Sequence, residues 1–133
     1  MLSNLGNFLL FLNLLLSILI IYNSYTCLKV SNKLIFKSIY QLSIFQSTSI
    51  LICFFTLIAA FLISDFSLIN VYQNSHSLKP VFYKISGTWG NHEGSLLLWV
   101  IILILFSFLF LVFNKNHPKS YRLLTLIIQN LLI

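Results

Sequence analysis

The sequence predicts an all-α, polytopic membrane protein with three transmembrane helices and part of a fourth. Of its 133 residues, 59% are hydrophobic and only 8% are charged, whereas soluble domains have about 25% charged residues. Three apolar runs are long enough to cross a bilayer, because a helix rises about 1.5 Å per residue and a span needs roughly 20 residues. A water-soluble fold of this size could not bury so much apolar surface.

The predicted spans form a single membrane domain that includes the whole chain. They lie near residues 5–22, 42–63 and 95–113, with a shorter apolar run at 123–133 and a long loop at 64–94. The last run is too short to cross a bilayer alone, so we expect it to pack against helices of another polypeptide. Asn13, in the first span, is expected to face a neighbouring helix, because an amide facing lipid has no hydrogen-bond partner.

Basic residues flank the apolar runs and predict how the protein is oriented. They fall in two clusters, the first with Lys29, Lys33 and Lys37 and the second with Lys115, Lys119 and Arg122. The spacing of four in the first cluster predicts one basic face on a short interfacial helix. Loops rich in Lys and Arg stay on the cytoplasmic or matrix side. The N-terminus and the 64–94 loop are therefore predicted on the opposite, positive side, which is the periplasm or the intermembrane space.

Three function classes find little support in the sequence. The net charge is +6, but the basic residues border apolar runs and form no basic-aromatic RNA motif, so nucleic acid is not an expected partner. Cys27 and Cys53 have neither CxxC nor metal-ligand spacing and are expected to be small apolar side chains. A transporter or channel would need intramembrane charges, which the three predicted spans lack.

The candidate functional residues lie in the stretch WGNHEGSLLLW, which begins at Trp89. It has the pattern of a turn entering the third span, with Gly90 and Gly94 providing backbone angles that other residues avoid. Asn91 or Ser95 is suited to cap the helix. The first amides of a helix carry partial positive charge, so those near Gly94 and Ser95 are candidates for holding an anion.

Further side chains complete the predicted site. Trp89 and Trp99 can line a flat apolar ligand, and His92 can bind a metal or carry protons. Glu93 is expected to orient the His92 imidazole, and Lys84 to assist in holding an anionic group. Together these groups suit a planar, anionic, metal-bearing molecule at the membrane surface. The structural alternative is that His92 and Glu93 only fix the loop on the helix end, while the tryptophans are interfacial anchors.

The same stretch resembles the signature WGxHEGSLLLW of CcmF-type cytochrome c heme lyases. Leu5-Gly6, the SDFSL run at 64–68, the NS pair at 74–75 and the P-x-x-Y pattern at 80–83 also fall where that family has similar residues. Related heme-handling proteins such as CcmC lack the signature at this place. The resemblance covers most of the chain and is specific to CcmF within this group.

The resemblance implies a role in joining the vinyl groups of heme b to the thiols of a CxxCH motif in apocytochrome c, on the positive side of the membrane. The heme would come from the chaperone CcmE. The implied heme-proximal residues are Trp89, Gly90, His92, Glu93, Gly94, Ser95 and Trp99. Among them His92 is the candidate catalytic residue, and no metal-ligand set is assigned.

This sequence departs from the family pattern in what it lacks. The tryptophan-rich WWD segment that contacts heme in the family is absent, as are the family's further histidines. The expected partners are therefore lipid, the remaining CcmF fragment that carries the WWD segment, a CcmE-like chaperone and apocytochrome c, with heme held mainly by other chains.

The abundance of residues with AT-rich codons fits the split CcmF genes of some mitochondrial genomes. We therefore expect the N-terminal subunit of a split heme lyase in the mitochondrial inner membrane, or alternatively in a bacterial inner membrane. A competing interpretation is a structural or assembly subunit of a respiratory complex without a catalytic role.

Overall fold

The computed structural model describes residues 2–30, 32–114 and 116–133, and within them helices are joined by turns, without strands. The helices are α1 (Leu2–Val30), α2 (Lys33–Ile63), α3 (Ile69–Asn74), α4 (Val81–Gly87), α5 (His92–Phe113) and α6 (Lys119–Leu131). Three of them, α1, α2 and α5, are long and apolar enough to cross a membrane. The all-α, polytopic fold class is therefore confirmed. Lys115, which the sequence places in a basic loop, lies outside the described residues.

The polar segment after the first predicted span is helical on both sides of a short break. Helix α1 continues to Val30, and α2 begins at Lys33. Asn32 caps α2, because its side-chain oxygen accepts a hydrogen bond from the Leu34 amide at 2.9 Å. The prediction that Lys29, Lys33 and Lys37 share one helical face is therefore wrong, since Lys29 belongs to α1 and the other two lysines to α2.

Helices α1 and α5 each pack against α2 and also against α6, so α6 lies in the groove between α1 and α5. Helix α6 begins at Lys119, directly after Pro118, rather than at the apolar run that starts at residue 123. Arg122 is consequently buried instead of lying in a loop. Its guanidinium donates a hydrogen bond to the Leu111 carbonyl in the last turns of α5 and lies 5.1 Å from the centre of the Phe36 ring. Arg122 thus ties α6 to α5 and α2.

The described residues form three apolar clusters, of which one, made of Ala60, Phe61 and Val71, packs α3 against the end of α2, and the other two lie along the bundle. The basic-end cluster consists of Cys27, Ile39, Leu111, Leu123 and Leu126, and the mid cluster of Ile50, Cys53, Ile101 and Ile104. The two cysteines are buried and free, and they belong to different clusters. Both are therefore part of the apolar packing, one at each level.

A layer of buried polar side chains separates the two clusters. Its members are Asn13 and Ser17 of α1, Ser43, Gln46, Ser47 and Ser49 of α2, Ser107 of α5 and Asn130 of α6. Asn13 Nδ2 donates to Ser49 Oγ at 2.7 Å, and Gln46 Nε2 donates to Asn130 Oδ1 at 3.0 Å. The expectation that Asn13 faces another helix is confirmed, and the layer links α2 to α1 and to α6.

The Gln46–Asn130 hydrogen bond should contribute measurably to docking of α6. In a double-mutant cycle of Gln46→Leu and Asn130→Leu, we expect a coupling free energy of about 0.6 kcal/mol and at most roughly 1.7 kcal/mol, the range of interhelical hydrogen bonds in membranes. The quantity to measure is the free energy of unfolding in a lipid bilayer. Thr48 is exposed two residues further along α2, on a different face of the helix from Gln46, so a cycle of Thr48→Leu with Asn130→Leu should give no coupling. Equal coupling in the two cycles would contradict this assignment.

Candidate functional site

Asn91 caps α5 and fastens its first turn to α4. Asn91 Oδ1 accepts a hydrogen bond from the Gly94 amide, and Asn91 Nδ2 donates to the Gly87 carbonyl, both at 2.7 Å. Ser95 Oγ instead donates to the His92 carbonyl at 2.9 Å. Of the two cap candidates in the sequence, Asn91 is therefore the cap. The Gly94 amide is satisfied by this cap and the Ser95 amide by the Asn91 carbonyl, so neither is available to hold an anion as predicted.

Gly94 is required for space and not for its backbone angles. A Cβ atom at this position would lie 1.6 Å from the Thr88 carbonyl oxygen, and Thr88 itself is fully buried. None of the glycines has a positive φ. The prediction that Gly90 and Gly94 supply unusual backbone angles is therefore wrong. At Gly94 a side chain is excluded because two chain segments approach each other closely. At Gly90 a Cβ would lie 3.0 Å from the Ser86 carbonyl oxygen.

Helix α4 is held against the end of α2 by Lys84. The Lys84 ammonium donates to Ser64 Oγ at 2.6 Å and to the Leu62 carbonyl at 3.4 Å. Ser64 closes α2 in the left-handed region, with φ of 56°. A cation at the last carbonyls of a helix is favourable, since that end carries partial negative charge. Lys84 is therefore engaged with α2 and does not serve the anion-holding role expected from the sequence.

The SDFSL run forms the turn that leaves α2. Ser67 Oγ donates to Asp65 Oδ1 at 2.6 Å, and the Ser67 amide donates to the same oxygen at 3.2 Å. The hydrogen bond from the hydroxyl is the main reason that the pKa of Asp65 lies below its usual value, and the amide adds to it. Asp65 is therefore a turn-forming carboxylate whose contacts stay within this turn.

Trp89 lies at the edge of an open outer groove. The residue is 40% exposed, and the centre of its ring lies 6.5 Å from that of Phe54 on α2. The outer groove has a volume of about 420 Å³ and is lined by Asn74, Lys79, Tyr83, Ser86, Gly87, Trp89, Gly90 and Asn91. A flat aromatic wall, a phenol and an ammonium group therefore meet on the loop side of the protein.

Glu93 lines a different space, the inner cavity between α1, α2 and α5. This cavity has a volume of about 400 Å³, and its lining also includes Asn7 and Asn70. His92 is exposed at the first position of α5, and within the described part of the chain its side chain has no hydrogen bond to Glu93. Consecutive helical residues point about 100° apart. The expected orientation of His92 by Glu93 is therefore not present.

The structure brings some of the predicted site residues together and separates others. Trp89, Gly90 and Asn91 share the outer groove, whereas Glu93 lines the inner cavity. Trp99 lies seven residues beyond His92 on α5, about 10 Å along the axis, and is outside the lining of both. Among the described residues, no group of three or more His, Cys, Asp and Glu side chains is arranged to hold a metal.

Several residues of the site were not predicted from the sequence, among them Lys79, Tyr83 and Asn70. Lys79 and Tyr83 line the outer groove, and Asn70 Nδ2 donates to Asn91 Oδ1 at 3.3 Å. Tyr83 falls in the P-x-x-Y pattern that supports the family resemblance, so a signal for it existed. Lys79 and Asn70 stand in no motif, and only the folding of the 64–94 loop onto the start of α5 places them there.

These features define a helical membrane protein that presents an aromatic, partly basic groove at the start of its third long helix. No protein-family model matches the chain. Comparison with curated proteins shows 31% identity over 120 residues to cytochrome c-type biogenesis protein CcmF of Haemophilus influenzae, covering 90% of this chain and 18% of that protein. Identity is 51% over 76 residues to cytochrome c-type biogenesis protein CycK of Rhizobium meliloti, covering 57% of this chain and 11% of that protein.

A solved structure, titled cytochrome c heme lyase CcmF, has the same fold. It superposes with a TM-score of 0.89 at 24% identity and covers 99% of this chain and 22% of that chain. The identities to the curated relatives show that the chain is of the CcmF type of cytochrome c biogenesis proteins, and the solved structure shows the same fold. The chain spans less than a quarter of the length of the relatives it matches.

Gly94→Ala should disrupt the junction between α4 and α5. The added Cβ would collide with the Thr88 carbonyl oxygen, which is fixed backbone, so we expect a loss of about 3 kcal/mol in the free energy of unfolding. The measurement is unfolding in a lipid bilayer. Gly6→Ala is the matched control, because its Cβ would meet only Thr56 Oγ1 at 3.9 Å. If Gly94→Ala were as stable as Gly6→Ala, the close approach would be refuted.

Proposed function

We propose that this chain is the N-terminal subunit of a split CcmF-type heme lyase and takes part in attaching heme to the CxxCH thiols of apocytochrome c. The observation that carries the proposal is the position of the WGNHEGS motif, at an open aromatic groove, within a fold of the CcmF family. The relatives that match it are named as cytochrome c-type biogenesis proteins.

The outer groove has the chemistry to contact part of a heme molecule. Trp89 and Tyr83 offer aromatic surface for the flat macrocycle. Lys79 Nζ donates to the Asn74 carbonyl at 2.8 Å, so one ammonium group is held at the groove, where it can pair with a propionate. We therefore propose Lys79, and not Lys84 as expected from the sequence, as the residue that holds an anionic group. The groove is open, so the remaining surface of the heme would be held by the partner fragment.

The reaction adds a thiol across a vinyl group. The sulfur forms a bond to one vinyl carbon, the S–H bond breaks, and a proton is delivered to the other carbon, so no electrons are gained or lost overall. A thiolate is the better nucleophile. His92 is exposed and has no side-chain hydrogen bond within the described residues, so its imidazole is free to take the thiol proton or to bind the heme iron. We propose His92 for one of these two roles.

The proposed partners follow from this role. They are the CcmF fragment carrying the WWD segment, a CcmE-like heme chaperone, apocytochrome c and the membrane lipid. We place the protein in the mitochondrial inner membrane. A bacterial inner membrane is the alternative, because the named relatives are bacterial. The N-terminus and the 64–94 loop would lie in the intermembrane space or periplasm.

A structural role is the second candidate, and the cap geometry favours it. Asn91, Gly94 and Lys84 all have packing or capping explanations that need no substrate. A subunit that only assembles with a respiratory complex would need the same contacts. His92 separates the two candidates, because it has no such explanation.

His92→Ala should lower cytochrome c maturation at least tenfold while the chain remains at normal abundance in the assembled lyase. His92→Asn and His92→Gln should not restore maturation, because an amide neither accepts a thiol proton at neutral pH nor replaces imidazole as an iron ligand. Maturation is measured as covalent heme in c-type cytochromes. His117→Ala is the control histidine outside the motif and should have no effect. A structural role would instead lower maturation in step with abundance, with the amides restoring both.

The orientation is tested by a cysteine placed at Ser77, an exposed position in the 64–94 loop. A membrane-impermeant thiol reagent should label it from the intermembrane-space or periplasmic side, since the basic clusters lie at the other ends of the spans. The native cysteines are buried and provide the unlabelled background. Labelling from the matrix or cytoplasmic side only would reverse the proposed orientation.

A further inference from the structure

One continuous groove runs between α1 and α5 along the bundle. Both helices pack on α2, but among the described residues they make few contacts with each other. Helix α6 occupies the basic-end part of this groove, and Ile133 beyond it packs against the mid cluster. The inner cavity continues the same groove toward the positive side, with Leu10 of α1 and Leu97 and Val100 of α5 in its lining. One part of the groove therefore holds a helix, and the other is open.

The lining of the inner cavity changes from apolar to polar along its length. Leucines and Val100 surround its inner part, while Ser3, Asn7, Asn70 and Glu93 lie toward the positive side. From Val100 to Glu93 is seven residues of α5, or about 10 Å and two helical turns. Glu93 is the charged residue of this lining, and no cation lies within salt-bridge distance of it among the described residues.

We propose that the inner cavity receives a helical segment, about two turns long, from the remaining part of the heme lyase on a partner polypeptide. The sides of this helical segment are apolar. Its end nearest the intermembrane space or periplasm presents a basic or hydrogen-bond-donating side chain to Glu93. The inference rests on the proposed function, because that function supplies the partner fragment. It goes further by assigning the surface on this chain where that fragment docks.

Two observations favour a helix over a lipid molecule. Helix α6 already fills the adjoining part of the groove, so the spacing of α1 and α5 accommodates a helix. A phospholipid seated with its tail in the cavity would bring its phosphate to the Glu93 carboxylate, and like charges repel. A helix can supply a hydrogen-bond donor to Glu93. Its own backbone N–H and C=O groups are hydrogen-bonded within the helix, as the bilayer requires.

Photo-crosslinking in native membranes tests the proposal. Benzoylphenylalanine at Leu97, in the cavity lining, should crosslink to an apolar helical peptide of another polypeptide, identified by mass spectrometry. Phe106, on α5 outside the cavity and 62% exposed, is the matched control position and should give at least tenfold less of that peptide. Leu97 adducts that consist of lipid, or of a second copy of this chain, would overturn the proposal.

A cavity-filling variant gives a second measurement. Val100→Trp should lower recovery of the crosslinked polypeptide with this chain at least tenfold, whereas Phe106→Trp should leave recovery unchanged. The abundance of each variant reports whether the chain still folds. Unchanged recovery with Val100→Trp at normal abundance would refute docking in the cavity.

If Leu97 captures a helical partner that cytochrome c maturation does not need, the docking surface stands and the proposed function fails. If only lipid is captured while maturation still needs the chain, the docking surface alone fails.

Discussion

Polar groups inside a bilayer have to find their hydrogen-bond partners within the protein, and the polar layer of α2 meets this constraint. Ser43 and Ser47 donate to carbonyls of their own helix, whereas Gln46 and Ser49 are bonded to side chains of other helices. An apolar face would leave α2 free to rotate against its neighbours. The paired polar groups fix one rotation, which determines the faces of α1 and α6 that pack on it.

Charged side chains are subject to the same constraint at the ends of the spans. Lys84 bonds to the last turn of α2, and Arg122 bonds to a carbonyl near the end of α5. Each also positions a neighbouring helix, α4 in the first case and α6 in the second. The contact of α4 with α2 brings Thr88 against Gly94, and this close approach directs the first turn of α5. The geometry of the motif is therefore a consequence of how α2 ends.

The sequence was sufficient for the features set by composition and local spacing. Apolar runs predicted the three long helices, the amide of Asn13 predicted a helix contact, and the cap was narrowed to Asn91 or Ser95. The sequence was insufficient to predict the role of a residue whose contacts are with a distant segment of the chain. The need for Gly94 comes from Thr88, and the role of Lys84 comes from the carbonyls of α2. The wrong assignment of three lysines to one face has a local cause, since the capping side chain of Asn32 starts a new helix between them.

The signature motif divides into two faces with different tasks. Asn91 and Gly94 have structural partners within the chain, and Glu93 faces the inner cavity between helices. Trp89 and His92 are exposed, and their chemistry is suited to a substrate more than to packing. Because His92 and Glu93 are adjacent in the first turn of α5, a segment that docked against Glu93 would also fix the helix end that carries His92. Under the proposed function, docking of a partner segment and placement of His92 would therefore both depend on this turn, which the Asn91 cap and the close approach at Gly94 hold in place.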